Sequence, residues 1–287
     1  MGEEAIVVEN LRYRYGSLVA VDGISFNVAR KEILGFLGPN GAGKSTTVQV
    51  LTGQLRMQDG RVTVLGRELA RHVKEIQARI GICFEQPNLY EQMTAIENLE
   101  LFARLYGVKE FDGIVLLKKV GLEGREKDRV INYSKGMKQR LMVARSLVSR
   151  PDILFLDEPT SGLDPVSADS IRQLILKERE RGATIFLTTH DMWEADKLCD
   201  RVAFLNQGKI AALDTPYVLK QQYGERSMLI EVARDSRLEA RTITLDRPET
   251  AQAVQDLFSH EKVVTVHSQE ATLEDIFLKI TGRRLTE

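Results

Sequence analysis

The chain has 287 residues, enough for one large domain or two modest ones at roughly 150 residues each, and its 43% hydrophobic and 28% charged content is that of a globular protein. Lys and Arg number 40 and Asp and Glu 41, a formal charge of −1 that excludes a wholesale electrostatic grip on nucleic acid or anionic lipid. No apolar run approaches the roughly 18 to 20 residues of a bilayer span, and the acidic opening MGEEAIVVEN is unlike a secretory leader.

Met1-Gly2 has Ile6 where N-myristoylation wants Ser or Thr, so that modification is not expected. Cys83 and Cys199 stand far apart, in no metal-ligand or Cys-x-x-Cys spacing, which fits a reducing cytoplasm without disulfides or structural zinc.

In chain order, apolar stretches at 5–8 and 24–28, set off by Tyr15-Gly16 and Asp22-Gly23 as turn signals, predict antiparallel strands. A buried strand at 33–37 follows, then the glycine-rich loop GPNGAGKS at 38–45 and a helix that Gly53 can end. From about 87 to 148 the pattern is helical, with Ile96, Leu99, Phe102 and Ala103 on one face, and an inserted all-helical subdomain is expected. Apolar pentads at 153–157 and 184–188 flank a helical stretch at 166–179, the alternation of a parallel sheet covered by helices.

Beyond Gly224 the reading is strand at 228–232, strand at 242–245, helix at 251–258, strand at 263–266 and helix at 273–280. The last helix carries Leu273, Ile276, Phe277 and Ile280 as an apolar face. The fold class expected is α/β: a phosphate-loop core with an antiparallel β subdomain and the helical insert over residues 1–223, then a small α/β accessory or regulatory domain over 224–287.

Gly38-x-x-x-x-Gly43-Lys44-Ser45 matches the loop in which backbone N–H groups surround a nucleotide's β-phosphate. Lys44 would reach the β and γ oxygens and the Ser45 hydroxyl would take a place on Mg²⁺. A strand precedes the loop and a helix start follows, so the helix N-terminus can face the phosphate. Such a loop needs a carboxylate at the end of a neighbouring strand. Asp157, after four apolar residues, is the candidate metal partner, and Glu158 beside it the candidate general base.

The following segment, Pro159-Thr160-Ser161-Gly162-Leu163-Asp164-Pro165, resembles the loop after the acidic pair in ATP-binding cassette proteins. The family's other motifs stand in order: Tyr15 before Gly16, Gln86 after a strand, Tyr133-Ser134-Lys135-Gly136-Met137-Lys138-Gln139-Arg140 as the signature, and Thr188-Thr189-His190-Asp191 after the last strand. Together they cover residues 5 to about 220.

The resemblance implies that Tyr15 stacks on adenine and that Gly38, Pro39, Asn40, Gly41, Ala42, Gly43, Lys44, Ser45 and Thr46 hold ATP. It makes Ser45, Gln86 and Asp157 the Mg²⁺ residues, and Glu158, His190 and Lys44 the catalytic ones. Ser134, Lys135 and Gly136 would meet the γ-phosphate bound by another cassette, and Asp164 would meet its phosphate loop, in a head-to-tail dimer. The signature departs from the commonest form at Tyr133, Lys135 and Met137, and Lys135 could point to phosphate or to solvent.

By the same resemblance, the chain is expected to be an ATP-hydrolysing transporter subunit. It would act with a separate transmembrane permease, as a homodimer of cassettes on the cytoplasmic face of the membrane. ENLELFARLYG at 97–107 and TLEDIFLKITGR at 272–283 resemble multidrug, antibiotic and sodium exporter cassettes. The alternative, a soluble cassette ATPase acting on ribosomes or DNA, fits less well with a single cassette and no net basic charge. No Asn-Lys-x-Asp motif supports GTP.

Overall fold

Glu4–Tyr15 (β1) and Leu18–Ala29 (β2) form a long antiparallel hairpin, paired from Glu4 opposite Ala29 to Tyr15 opposite Leu18. Gly16, with a positive φ of 58°, makes its turn. Asp22-Gly23, expected to separate strands, lies inside β2 instead: Leu11 pairs with Ile24 and Arg12 with Asp22, leaving Gly23 as an unpaired bulge residue with φ 69°. The structure, a computed structural model, describes residues 3–234, 237–245 and 247–283.

Ile33–Leu37 (β3) leads through the glycine-rich loop into Lys44–Leu51 (α1). Asp59–Val64 (β4) pairs with β1, and Arg67–Glu68 (β5) pairs with β4. Leu69–Gln77 (α2) and Ile80–Cys83 (β6) come next. The helical insert holds Ala95–Leu105 (α3), Gly113–Lys119 (α4) and Lys135–Ser146 (α5). On α3, Leu99 and Ala103 are buried, as the periodicity required, with Ile96 and Phe102 half-buried.

The chain then returns to the core through Ile153–Asp157 (β7), Pro165–Arg181 (α6), Thr184–Thr189 (β8), Met192–Leu198 (α7), Arg201–Asn206 (β9) and Lys209–Asp214 (β10). Two sheets result: β2-β1-β4-β5, antiparallel, and the six-stranded β10-β9-β3-β8-β7-β6. In the latter, β9, β3, β8, β7 and β6 run parallel. Every residue of β3, β7 and β8 is buried, which explains the apolar runs at 33–37, 153–156 and 185–187. Phe36 and Phe186 lie 5.1 Å apart with Phe26 of β2 5.2 Å from Phe36, so the two sheets share one aromatic core.

The chain divides into two compact units, one through Leu213 and one from Asp214. The second contains Pro216–Tyr223 (α8), Ser227–Arg234 (β11), Arg237–Thr244 (β12), Thr250–His260 (α9), Lys262–Gln269 (β13) and Leu273–Thr281 (α10). Its antiparallel sheet runs β12-β11-β13 around Ile230, Val232 and Leu257. The unit takes in residues before 224 because α8 packs against α10, whose Leu273, Ile276 and Phe277 are buried.

Candidate nucleotide-hydrolysis site

The glycine loop is shaped by what it touches. A Cβ on Gly38 would run into the Leu205 carbonyl and one on Gly43 into the Ala20 carbonyl, and Gly43 has a φ of 107°, so a side chain fits neither position. Gly43 is the N-cap of α1, with no side-chain cap and no acidic residue in the first turn. The first N–H groups of that helix are therefore available to an anion, with the positive end of its dipole behind them.

Lys44 is buried, and its Nζ donates to the carbonyls of Gly38 at 2.6 Å and Pro39 at 3.2 Å, within the loop it serves. Burial lowers its pKa, against the pull of Glu158, Asp157 and Glu85 nearby. An incoming phosphate would add to that pull and hold the ammonium charged.

Asp157 ends β7 and is buried; its Oδ1 accepts a short hydrogen bond from the Thr188 hydroxyl at the facing position of β8. Glu158 then leaves the strand with φ 50°, a left-handed conformation that turns its side chain away from its neighbour's course. Its N–H donates to the Thr188 carbonyl at 3.0 Å, while its own carbonyl accepts from Gln139 Nε2 of α5 at 3.2 Å. His190 Nδ1 donates to Glu158 Oε2 at 2.9 Å. Burial raises the Glu158 pKa, and the His190 hydrogen bond and the Lys44 charge counter it.

Lys44, Asp157, Glu158 and His190 thus converge on the C-terminal ends of β3, β7 and β8, where open parallel sheets place ligands. Tyr15 is exposed, with its hydroxyl 3.5 Å from Gln49 of α1, whereas Tyr13 is buried and meets Tyr15 edge-on at 5.0 Å. Gln86 lies exposed in the loop after β6.

The signature residues gather at another place. Ser134 caps α5 by accepting from the Met137 N–H at 3.2 Å, and Gly136 lies against Leu163. Lys135, whose direction the sequence left open, lies across Gly162: a Cβ there would be 3.2 Å from Lys135 Cε and 3.3 Å from its Nζ. Asp164 caps α6, with Oδ1 accepting from the N–H groups of Val166 at 3.1 Å and Ser167 at 3.0 Å. Hydrogen bonds from Ser167 and Val166 hold its carboxyl below the usual range.

Two supporting residues have roles that the sequence does not assign. Thr188 stands there only as part of a motif, and Gln139, whose Nε2 spans the carbonyls of Glu158 and Pro159, only as part of the signature. Thr188 is polar in a wholly buried strand, which is the available signal for it; Gln139, flanked by Lys138 and Arg140, carries none.

Residues 21–161 match the family model described as ABC transporter. The chain is 47% identical over 289 residues to the fluoroquinolones export ATP-binding protein of Mycobacterium tuberculosis, covering 100% of this chain and 96% of that protein. It is 33% identical over 308 residues to the linearmycin resistance ATP-binding protein LnrL of Bacillus subtilis, covering 97% and 99%. A solved dimeric ATP-binding cassette in a post-hydrolysis state, bound to ADP and Pi, matches with a TM-score of 0.68 at 26% identity, over 73% of this chain and 98% of that one. With the loop, the acidic pair and His190 in place on the fold of such cassettes, the chain belongs to the ABC transporter family, as an ATP-binding and ATP-hydrolysing subunit.

Proposed function

We propose that this chain is the motor of an exporter, hydrolysing ATP with Mg²⁺ between two copies of itself and driving a separate membrane-spanning permease. Its relative from Mycobacterium tuberculosis is named for export and aligns over the whole chain, which supports the direction of transport. Among the described residues no helix is long and apolar enough to cross a membrane, so a partner would carry the pathway. Tyr90, Leu105 and Tyr106, exposed around α3, would form the docking surface with the Gln86 loop.

The observation that carries the hydrolytic reading is the 2.9 Å bond between His190 and the buried Glu158, beside Lys44. In the proposed reaction a water oxygen bonds to the γ-phosphorus as the bond to the β–γ bridging oxygen breaks, giving ADP and inorganic phosphate. Glu158 takes the water's proton, His190 holds that carboxylate in place, and Lys44 with the first N–H groups of α1 meets the phosphate charge.

Ser45, Gln86 and the carboxylate of Asp157 offer only hydroxyl, amide and carboxylate oxygens, a hard donor set that suits Mg²⁺. Bound there, the ion would neutralise charge on the β- and γ-phosphates. Tyr15 would stack on the adenine, and the main chain from Gly38 to Thr46 would cradle the phosphates. Ser134, Lys135, Gly136 and Asp164 would complete the site of a second copy, since each chain carries both halves. The dimeric state of the solved cassette supports this arrangement.

The test is phosphate release by the purified chain together with affinity capture of the tagged chain from solubilised membranes of its host. Mg²⁺-dependent hydrolysis lost in Lys44→Ala, with one polytopic membrane protein captured, is the expected result. Hydrolysis without such a partner, or capture of ribosomal proteins in its place, would overturn the exporter reading.

A further inference from the structure

Arg145, near the C-terminal end of α5, is only 4% exposed, and among the described residues no carboxylate pairs with it. Its charge is met by three neutral groups. Nη1 donates to the Asn88 carbonyl at 2.8 Å, Nη2 makes a short hydrogen bond to Asn88 Oδ1, and the guanidinium carbon lies 4.6 Å from the centre of the Phe102 ring. A buried cation without a counter-charge is expensive to keep. What this one gains is geometry, because a planar fork grips two oxygens of one residue while its face rests on an aromatic ring.

The residue so gripped stands two positions after Gln86, with Pro87 between them. Pro87 fixes its own φ and confines Gln86 to extended conformations, so the three residues form a stiff segment and holding Asn88 aims Gln86. The far side of the same loop is held by another buried polar group. Asn98 of α3 accepts from the Tyr90 N–H at 2.9 Å and donates to the carbonyls of Tyr90 at 3.0 Å and Thr94 at 2.9 Å. The loop from Asn88 to Thr94 is therefore clamped from α5 and from α3.

We infer that Arg145 is a positioning residue for hydrolysis: it ties the signature helix α5 to the Gln86 loop through Asn88 and to α3 through Phe102, so that these three move as one body. This rests on the reading of Gln86 as a residue of the hydrolytic site. The helix whose first turn would meet the second copy's nucleotide is thereby coupled at its other end to the loop that attends this chain's own nucleotide. Lys at this position keeps the charge and gives up both the fork and the flat contact with Phe102.

The experiment compares wild type, Arg145→Lys, Asn88→Ala and the double variant in the full chain. It measures kcat and KM for ATP, hydrogen–deuterium exchange of peptides spanning 84–94, and thermal unfolding. Arg145→Lys is expected to lower kcat about tenfold, in line with small misplacements of reacting groups, while KM changes less than about twofold. Exchange in 84–94 should rise severalfold, with peptides of α1 and β7 unchanged. Asn88→Ala should move the same two readouts in the same direction, and the double variant should be no worse than Arg145→Lys alone.

Unchanged kcat and unchanged exchange at 84–94 in both single variants would overturn the inference. So would exchange raised throughout the chain with KM and kcat falling together, since that marks general loosening. If Arg145→Lys does not fold, Asn88→Ala decides by itself, being an exposed loop substitution. A wild-type chain without ATP hydrolysis would instead sink the functional reading on which the inference rests.

Discussion

His190 Nδ1 donates to Glu158 Oε2 across 2.9 Å, joining a half-exposed imidazole to a buried carboxylate with a left-handed backbone. The pair brings together the ends of β7 and β8.

Glu158→Gln removes the proton acceptor and keeps the shape. Hydrolysis should fall by roughly 10² to 10⁴, the range for losing a general base, while ATP binding is kept. Phosphate release alongside equilibrium nucleotide binding checks this, and near-normal turnover would exclude Glu158 as the base.

The same variant has a pH signature. Burial raises the folded-state pKa of Glu158 above its unfolded value, so the native state holds its proton longer than the unfolded chain does. The stability this contributes is fully present below the unfolded pKa of about 4.3 and is lost as pH rises through the folded value. At neutral pH the charged carboxylate is a burden that glutamine lacks. Glu158→Gln should therefore melt higher than wild type near pH 7, with the difference shrinking toward pH 4. Calorimetry across that range checks the sign, and a variant less stable at pH 7 would contradict it.

Thr188→Val keeps volume and deletes the hydroxyl that serves Asp157 Oδ1. Both residues are buried, so a charged oxygen loses its donor, at a cost of about 1.5–3 kcal/mol in denaturant unfolding. A loss below 0.5 kcal/mol, on the order of an exposed substitution, would show that water or another group replaces the hydroxyl.

Gly43→Ala tests the loop. A non-glycine residue at φ 107° is strained by about 1–3 kcal/mol, and the new Cβ would also meet the Ala20 carbonyl. Nucleotide affinity should fall at least about tenfold, because a 1.4 kcal/mol displacement of the loop already costs that factor. Titration with a fluorescent ATP analogue measures it, and unchanged affinity would mean that the loop relaxes without loss.

Ser134→Ala removes the cap of α5, worth about 1 kcal/mol. Under the proposed dimer its hydroxyl also meets the partner's nucleotide, so hydrolysis should fall further than stability predicts while binding to isolated chains stays level. Equal small losses in both would leave Ser134 a helix cap and nothing more.

The parts of this site legible in sequence are those whose chemistry is local. The phosphate loop, Asp157-Glu158 and His190 each sit at the end of an apolar run, and a strand followed by a turn places them without knowledge of anything distant. Asp22-Gly23 reads as a turn in sequence and is a bulge in the fold, because Asp-Gly signals positive φ equally well in either setting. The sequence leaves the direction of Lys135 open, since its resting place, Gly162, belongs to another segment. The clamp of Arg145 on Asn88 spans 57 positions, and Gln139 reaches Glu158 across 19. Such pairings depend on tertiary contact, and no periodicity records them. The short strands β4 and β5 and the helix α2 carry little signal in the sequence, being brief, with β5 and the first half of β4 largely exposed.

The strand that carries the phosphate loop has its neighbours far downstream: β3, made at 33–37, pairs with β8 at 184–189 and β9 at 201–206. During synthesis it must wait for both, and pairings of such separation are slow to close. A chain interrupted before β9 would carry GPNGAGKS without the Leu205 carbonyl that shapes Gly38 or the strands that flank it. The ability to hold ATP is thus among the last properties the nascent first unit acquires, and nucleotide capture doubles as a mark that the central sheet has been finished.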